Sequence, residues 1–96
     1  MFAAINRLRC PASYAEHLER AFRHAGNLEG VPGFVRFEFL KNTREGEPLE
    51  YLALTTWESR AAYEAWTRSE SFSRAHRAAA GESPVTASLD TYETVA

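Results

Sequence analysis

The 96-residue sequence holds one cysteine, Cys10, so no internal disulfide braces the chain and a reducing compartment is its natural setting. No apolar run has the length a bilayer demands, and no apolar stretch of the secretory kind precedes the first patterned segment. The expected location is therefore the cytosol, with no membrane attachment. Lysine and arginine number 11 against 13 acidic residues and are scattered rather than blocked, which leaves nucleic-acid binding without an electrostatic footprint. Glycine-rich phosphate loops are missing, as is a Gly-x-Ser-x-Gly turn for a nucleophilic serine. Cys10 has no evident base and reads as a small hydrophobe at a strand end. Linkers, repeats and low-complexity tracts are also lacking, so residues 1–96 form one domain with a modest core.

What is present is periodicity. Phe2 to about Arg9 reads as a strand. Pro11 breaks it, and Ser13-Tyr14-Ala15-Glu16 has the form of a capping box opening a helix with Leu18, Ala21, Phe22, Ala25 and Leu28 inward. Gly30-Val31-Pro32-Gly33 ends that helix. Phe34 to Leu40 is a second strand with Val35, Phe37 and Phe39 on one side. The polar stretch Lys41 to Pro48 is a hairpin loop. Glu50 to Trp57 is a third strand, apolar on both faces. Ser59 caps a helix whose inner side holds Ala62, Tyr63 and Trp66. Ser69-Glu70-Ser71 breaks it, and a further helix spans Phe72 to about Ala80. Val85 to Val95 is the last strand, with Val85, Ala87 and Leu89 on one face. The order β-α-β-β-α-β, with its second helix split, is an α+β, ferredoxin-like pattern.

Helices on one side of such a sheet leave its other face bare, with Ala3 and Ile5 on it. A stable monomer rarely exposes more than about 300–600 Å² of contiguous apolar surface. A homodimer with two sheets face to face is therefore expected.

Three residues stand where a packed domain prefers hydrocarbon. Counting by twos, Asn6 shares a strand face with Phe2, Ala4 and Leu8. Burying its amide costs about 1–3 kcal/mol unless a partner satisfies it. Trp66 is a large indole on the inner side of a helix. His76 follows Phe72 by four residues, on the apolar side of its helix, whereas His17 and His24 fall among charged residues. Each alone has a bland reading: a satisfied amide, a core indole, a surface imidazole. Imidazole suits iron, including the axial position of a heme. No second His, Cys or carboxylate pair completes a protein-only metal site, and a porphyrin brings four nitrogens of its own.

Ile5-Asn6-Arg7-Leu8, Val31-Pro32-Gly33-Phe34, Trp57-Glu58-Ser59 and the stretch from Ala65 through Trp66 to His76 together resemble the antibiotic-biosynthesis-monooxygenase domain. Within it, the combination of Asn, Trp and His is most similar to heme-degrading monooxygenases of the iron-regulated surface determinant type. The resemblance implies a dimeric α+β barrel with one heme per subunit between helices and sheet. It implies that His76 is the proximal iron ligand and Asn6 the distal amide. Trp66 would press the porphyrin out of plane, and Phe22 would be an aromatic wall from the first helix. Heme would be both cofactor and substrate, degraded with O2 and an external electron donor, a reductase not identified. The link from His76 to the last strand is shorter than in some relatives, and Arg74 and Arg77 read as propionate partners or solvated charges. Two other readings stay open: a cofactor-independent quinol or phenol monooxygenase, and a non-enzymatic heme-binding module.

Overall fold

Residues 1–23, 28–69 and 84–96 are described by the structure, a computed structural model. Alternation builds the first strand, β1 (Phe2–Cys10): Phe2, Ala4, Leu8 and Cys10 are buried on one side while Arg9 is exposed on the other. Helix α1 (Ala15–Arg23), strands β2 (Phe34–Lys41) and β3 (Leu49–Trp57), helix α2 (Arg60–Thr67) and strand β4 (Thr86–Glu93) follow. The sheet order is β2-β3-β1-β4 and every neighbouring pair is antiparallel. This is the expected ferredoxin-like α+β arrangement. The expected second half of the split helix, from Phe72, lies outside the described residues.

Both helix starts were open to prediction, and one differs. Ser59 caps α2 as expected, its Oγ accepting from the Ala62 N–H at 3.1 Å. The Ser13 capping box does not form. Pro11 instead starts a single 3-10 turn over Ala12–Tyr14, closed by Tyr14 N–H donating to the Pro11 carbonyl. The Ala12 N–H is taken by the Glu47 carboxylate at 2.6 Å, so a side chain distant in sequence satisfies the donor. α1 therefore begins at Ala15. Its inner side is also narrower than the spacing suggests: Leu18 is buried and Phe22 half-buried, but Ala21 is exposed.

A second difference lies in β2. The register steps from Phe34↔Trp57 to Arg36↔Thr56, so Val35 is an extra residue, a bulge. Parity inverts there. Phe34 rather than Val35 joins Phe37 and Phe39 on the helix side, and Val35 is left exposed. Gly33, just before, has φ +81°, and a Cβ there would run into the Cβ of Ala62. Its carbonyl accepts from the Glu58 N–H at 2.8 Å, which ties the start of β2 to the β3–α2 corner.

The helix side of the sheet carries two hydrophobic clusters. Under α1, Leu8, Cys10, Leu18 and Tyr51 are buried, with Phe22 and Phe39 against them. Under α2, Phe2, Leu28 and the fully buried Trp57 pack with Phe34, Tyr63 and Trp66. On the opposite face, Ile5, Leu52 and Leu54 are only half-buried, and Leu40 and Tyr92 are exposed.

Candidate active site

The two clusters are separated by a low stretch of sheet. Asn6 lies on it, opposite Ala53 of β3 and Leu89 of β4. Ala4 and Thr55, one register pair along, continue the same face. Small side chains here leave the sheet surface low between the ring systems at either end. Leu89 is 55% exposed although it stands on the helix side, and Asn6 is half-buried. Leu89 is thus open to solvent, while Ala4 and Ala53 beside Asn6 are buried.

One wall comes from α2. Trp66 is half-buried, 5.3 Å from Trp57 and 6.2 Å from Tyr63 between ring centroids. The other comes from α1, where Phe22 stacks on Phe39 at 4.4 Å with the planes 5° from parallel. Phe39 in turn stacks on Tyr51 at 5.0 Å. Parallel stacking of this kind adds roughly 0.5–1.5 kcal/mol per pair beyond burial.

Asn6 thus lies on the helix-covered face along β1 between the two clusters, with Trp66 in one cluster and Phe22 in the other. The Asn6 carboxamide makes no hydrogen bond to any described residue. His76, with Phe72, Arg74 and Arg77, lies outside the described residues, as does His24. His17 is exposed at the start of α1, beside the Tyr14 ring.

Electrostatics sharpen the assignments. Burial, helped by the neighbouring Glu19, pushes the Cys10 thiol up. Cys10 is thus a packed hydrophobe rather than a poised nucleophile. Burial and a hydrogen bond to Glu19 push the Tyr51 phenol far above the usual range, and burial raises Tyr63 too. On the opposite face, Glu50 is held low by the Asn42 amide and then by Arg9. Among the described residues no group of three His, Cys, Asp or Glu could hold a metal ion, and no helix is long and apolar enough to cross a membrane. A shallow hollow of about 450 Å³ along β2, lined by Glu29, Gly30 and residues 34–37, lies two strands from Asn6 and brings no convergent polar groups.

Sequence reasoning did not single out Ala53, Thr55 or Leu89, nor the Glu19–Tyr51 bond. The one signal for the first two was the presence of Ala and Thr on the inner face of an otherwise bulky strand.

Residues 1–78 match the antibiotic biosynthesis monooxygenase family. A heme oxygenase (staphylobilin-producing) from Staphylococcus haemolyticus is 35% identical over 77 residues, which is 80% of this chain and 74% of that protein. The structure of the heme-degrader MhuD from Mycobacterium tuberculosis, with two hemes bound in its active site, is 33% identical and has a TM-score of 0.76, covering 100% of this chain and 97% of that one. A substituted MhuD with two manganese protoporphyrin IX molecules per active site gives 32% identity and a TM-score of 0.82, with 100% and 96% covered.

Proposed function

The chain belongs to the antibiotic biosynthesis monooxygenase family, and from that membership we propose that it is a heme-degrading monooxygenase, which opens the porphyrin ring with O2 and an external electron donor and releases iron. The observation that carries this reading is the Asn6 carboxamide. It stands on an apolar sheet face between two aromatic clusters, without a hydrogen-bond partner among the described residues. Half-buried and not engaged by a neighbouring side chain or backbone group among the described residues, the amide is left available to a ligand, which a ligand-binding role explains better than a packing role.

Heme fits the surroundings as substrate. A flat apolar macrocycle suits a floor of Ala4, Ala53 and Thr55 with ring walls at each end. In this reading Trp66 and Phe22 flank the macrocycle and exclude water. Asn6 would offer its carboxamide to the bound ligand as a hydrogen-bond donor. The imidazole of His76 is the proposed iron ligand, a role that the family resemblance implies. When bound, the heme iron supplies the site for oxygen activation, and the protein supplies position and a hydrogen-bond donor. The identities of the relatives, each about a third, support the same chemistry.

We further propose a homodimer through the outer sheet face. Ile5, Leu52 and Leu54 with the exposed Leu40 and Tyr92 form an apolar surface that a second copy would cover. The buried free thiol of Cys10 suits a reducing, cytosolic setting.

The test is an absorbance titration of purified apoprotein with hemin, then ascorbate in air. A saturable Soret band that decays with iron release is expected. Saturable binding without decay would favour a heme-binding module. Absence of saturable binding by a folded protein would overturn the proposal and direct the search to phenolic substrates.

A further inference from the structure

α1 has few anchors. Of its nine residues only Leu18 is buried, and Glu16, His17, Arg20, Ala21 and Arg23 are exposed. Yet this helix carries Phe22, one wall of the candidate site. Besides the packing of Leu18, Ala15 and Phe22 on the core, a polar contact ties it to the sheet: the Tyr51 O–H donates to the Glu19 carboxylate at 2.5 Å. Tyr51 is 1% exposed and lies in β3, an interior strand of the sheet. Lys41 on β2 reaches the same carboxylate at 3.9 Å and lies over the Tyr51 ring.

Glu19 and Phe22 are three residues apart, one helical turn, so they share a side of α1. Phe22 stacks on Phe39, and Phe39 stacks on Tyr51. The contacts therefore close a loop: Glu19 to Phe22 along the helix, Phe22 to Phe39 to Tyr51 through parallel rings, and Tyr51 back to Glu19. In such a loop the hydrogen bond sets where along the stack Phe22 comes to rest. Stacking alone tolerates sliding of one ring over another; a directional hydrogen bond to a carboxylate tolerates it less.

We propose that Glu19 and Tyr51 are positioning residues, a latch that holds α1 at the distance and rotation that places the Phe22 ring against the ligand. The latch rests on the heme-degrading reading for its ligand, but not for its geometry. Glu19 and Tyr51 act through Phe22 and take no part in the chemistry.

The experiment separates the two. The apoprotein is labelled with 4-fluorophenylalanine, and the Phe22 fluorine resonance is identified by its loss in Phe22→Leu. Stacking on Phe39 displaces that resonance from its unfolded position. Tyr51→Phe keeps every ring and removes only the hydroxyl; Glu19→Ala removes the acceptor; Glu19→Gln keeps an acceptor oxygen. The first two are expected to move the resonance towards its unfolded position and to weaken hemin binding roughly tenfold, the size of one lost hydrogen bond to a charged group. Glu19→Gln should restore both readouts, and the Tyr51→Phe/Glu19→Ala double variant should be no worse than either single one. An unmoved Phe22 resonance in folded Tyr51→Phe and Glu19→Ala overturns the latch. A moved resonance with unchanged hemin affinity overturns its role in the site. If the unsubstituted protein takes up no hemin, the enzyme reading falls, and the fluorine resonance still decides whether the latch exists.

Discussion

Asn6 stands directly opposite Ala53 in the β1–β3 ladder, an amide beside a methyl, with the half-exposed Leu89 on its other flank. This juxtaposition keeps the floor low where the polar group is presented. Enlarging the alanine tests it. Ala53→Leu is expected to cost about 1–3 kcal/mol of stability by overpacking, yet to leave a folded protein by circular dichroism. Hemin binding should be lost or weakened by more than tenfold, since the added isobutyl group occupies the floor. Unchanged hemin affinity in the folded variant would place the ligand elsewhere.

Asn6→Ala separates a functional amide from a structural one. With no hydrogen bond from its carboxamide to any described residue, truncation should leave the thermal midpoint of the apoprotein unchanged or higher. Hemin should still bind, while its breakdown under ascorbate and air should slow roughly tenfold or more, as when a donor aimed at developing charge is removed. A fall in midpoint with a normal rate of breakdown would make the amide a packing element.

The placement of Asn6 was legible because a strand needs only a period of two. Parity alone put Asn6 on the face of Phe2, Ala4 and Leu8, and the helical spacing of Ala62, Tyr63 and Trp66 put the indole inward. The Ser59 cap was legible because donor and acceptor are three residues apart. What escaped were features decided at a distance. The bulge at Val35 inverts the face of β2 without a glycine to signal it. The Ser13 cap lost to a turn at Pro11 and to Glu47, which only the fold brings near. Tyr51 and Glu19 pair across 32 residues, and no local pattern marks them as partners. The role of His76 rests on family resemblance alone.

The outer face offers a test of assembly. Leu54 lies opposite Ile5 of β1 and Glu38 of β2 on the half-buried side away from the helices. Leu54→Arg puts two like charges into the proposed interface of two copies, where desolvation and repulsion both oppose association. Light scattering after size exclusion should show a monomer with its far-ultraviolet circular dichroism retained. A dimer of undiminished stability would mean that association uses another surface.

Tyr51 gives the protein a calculable response to alkali. Its phenol is buried and hydrogen-bonded to Glu19, and both effects push its pKa well above the ordinary value. The native state therefore keeps its proton at pH values where the unfolded chain, titrating near pH 10, has lost it. Between those two values the unfolded state binds fewer protons than the native one, so stability falls as pH rises. The contribution is fully present below about pH 10 and declines above it, with a slope of up to about 1.4 kcal/mol per pH unit for one proton. Tyr63, also raised by burial, adds a further part of the slope. Urea unfolding at a series of alkaline pH values should show this decline in the unsubstituted protein and a shallower one in Tyr51→Phe. Equal slopes in the two proteins would mean that the Tyr51 phenol titrates alike folded and unfolded, and that its bond to Glu19 is not sheltered in solution.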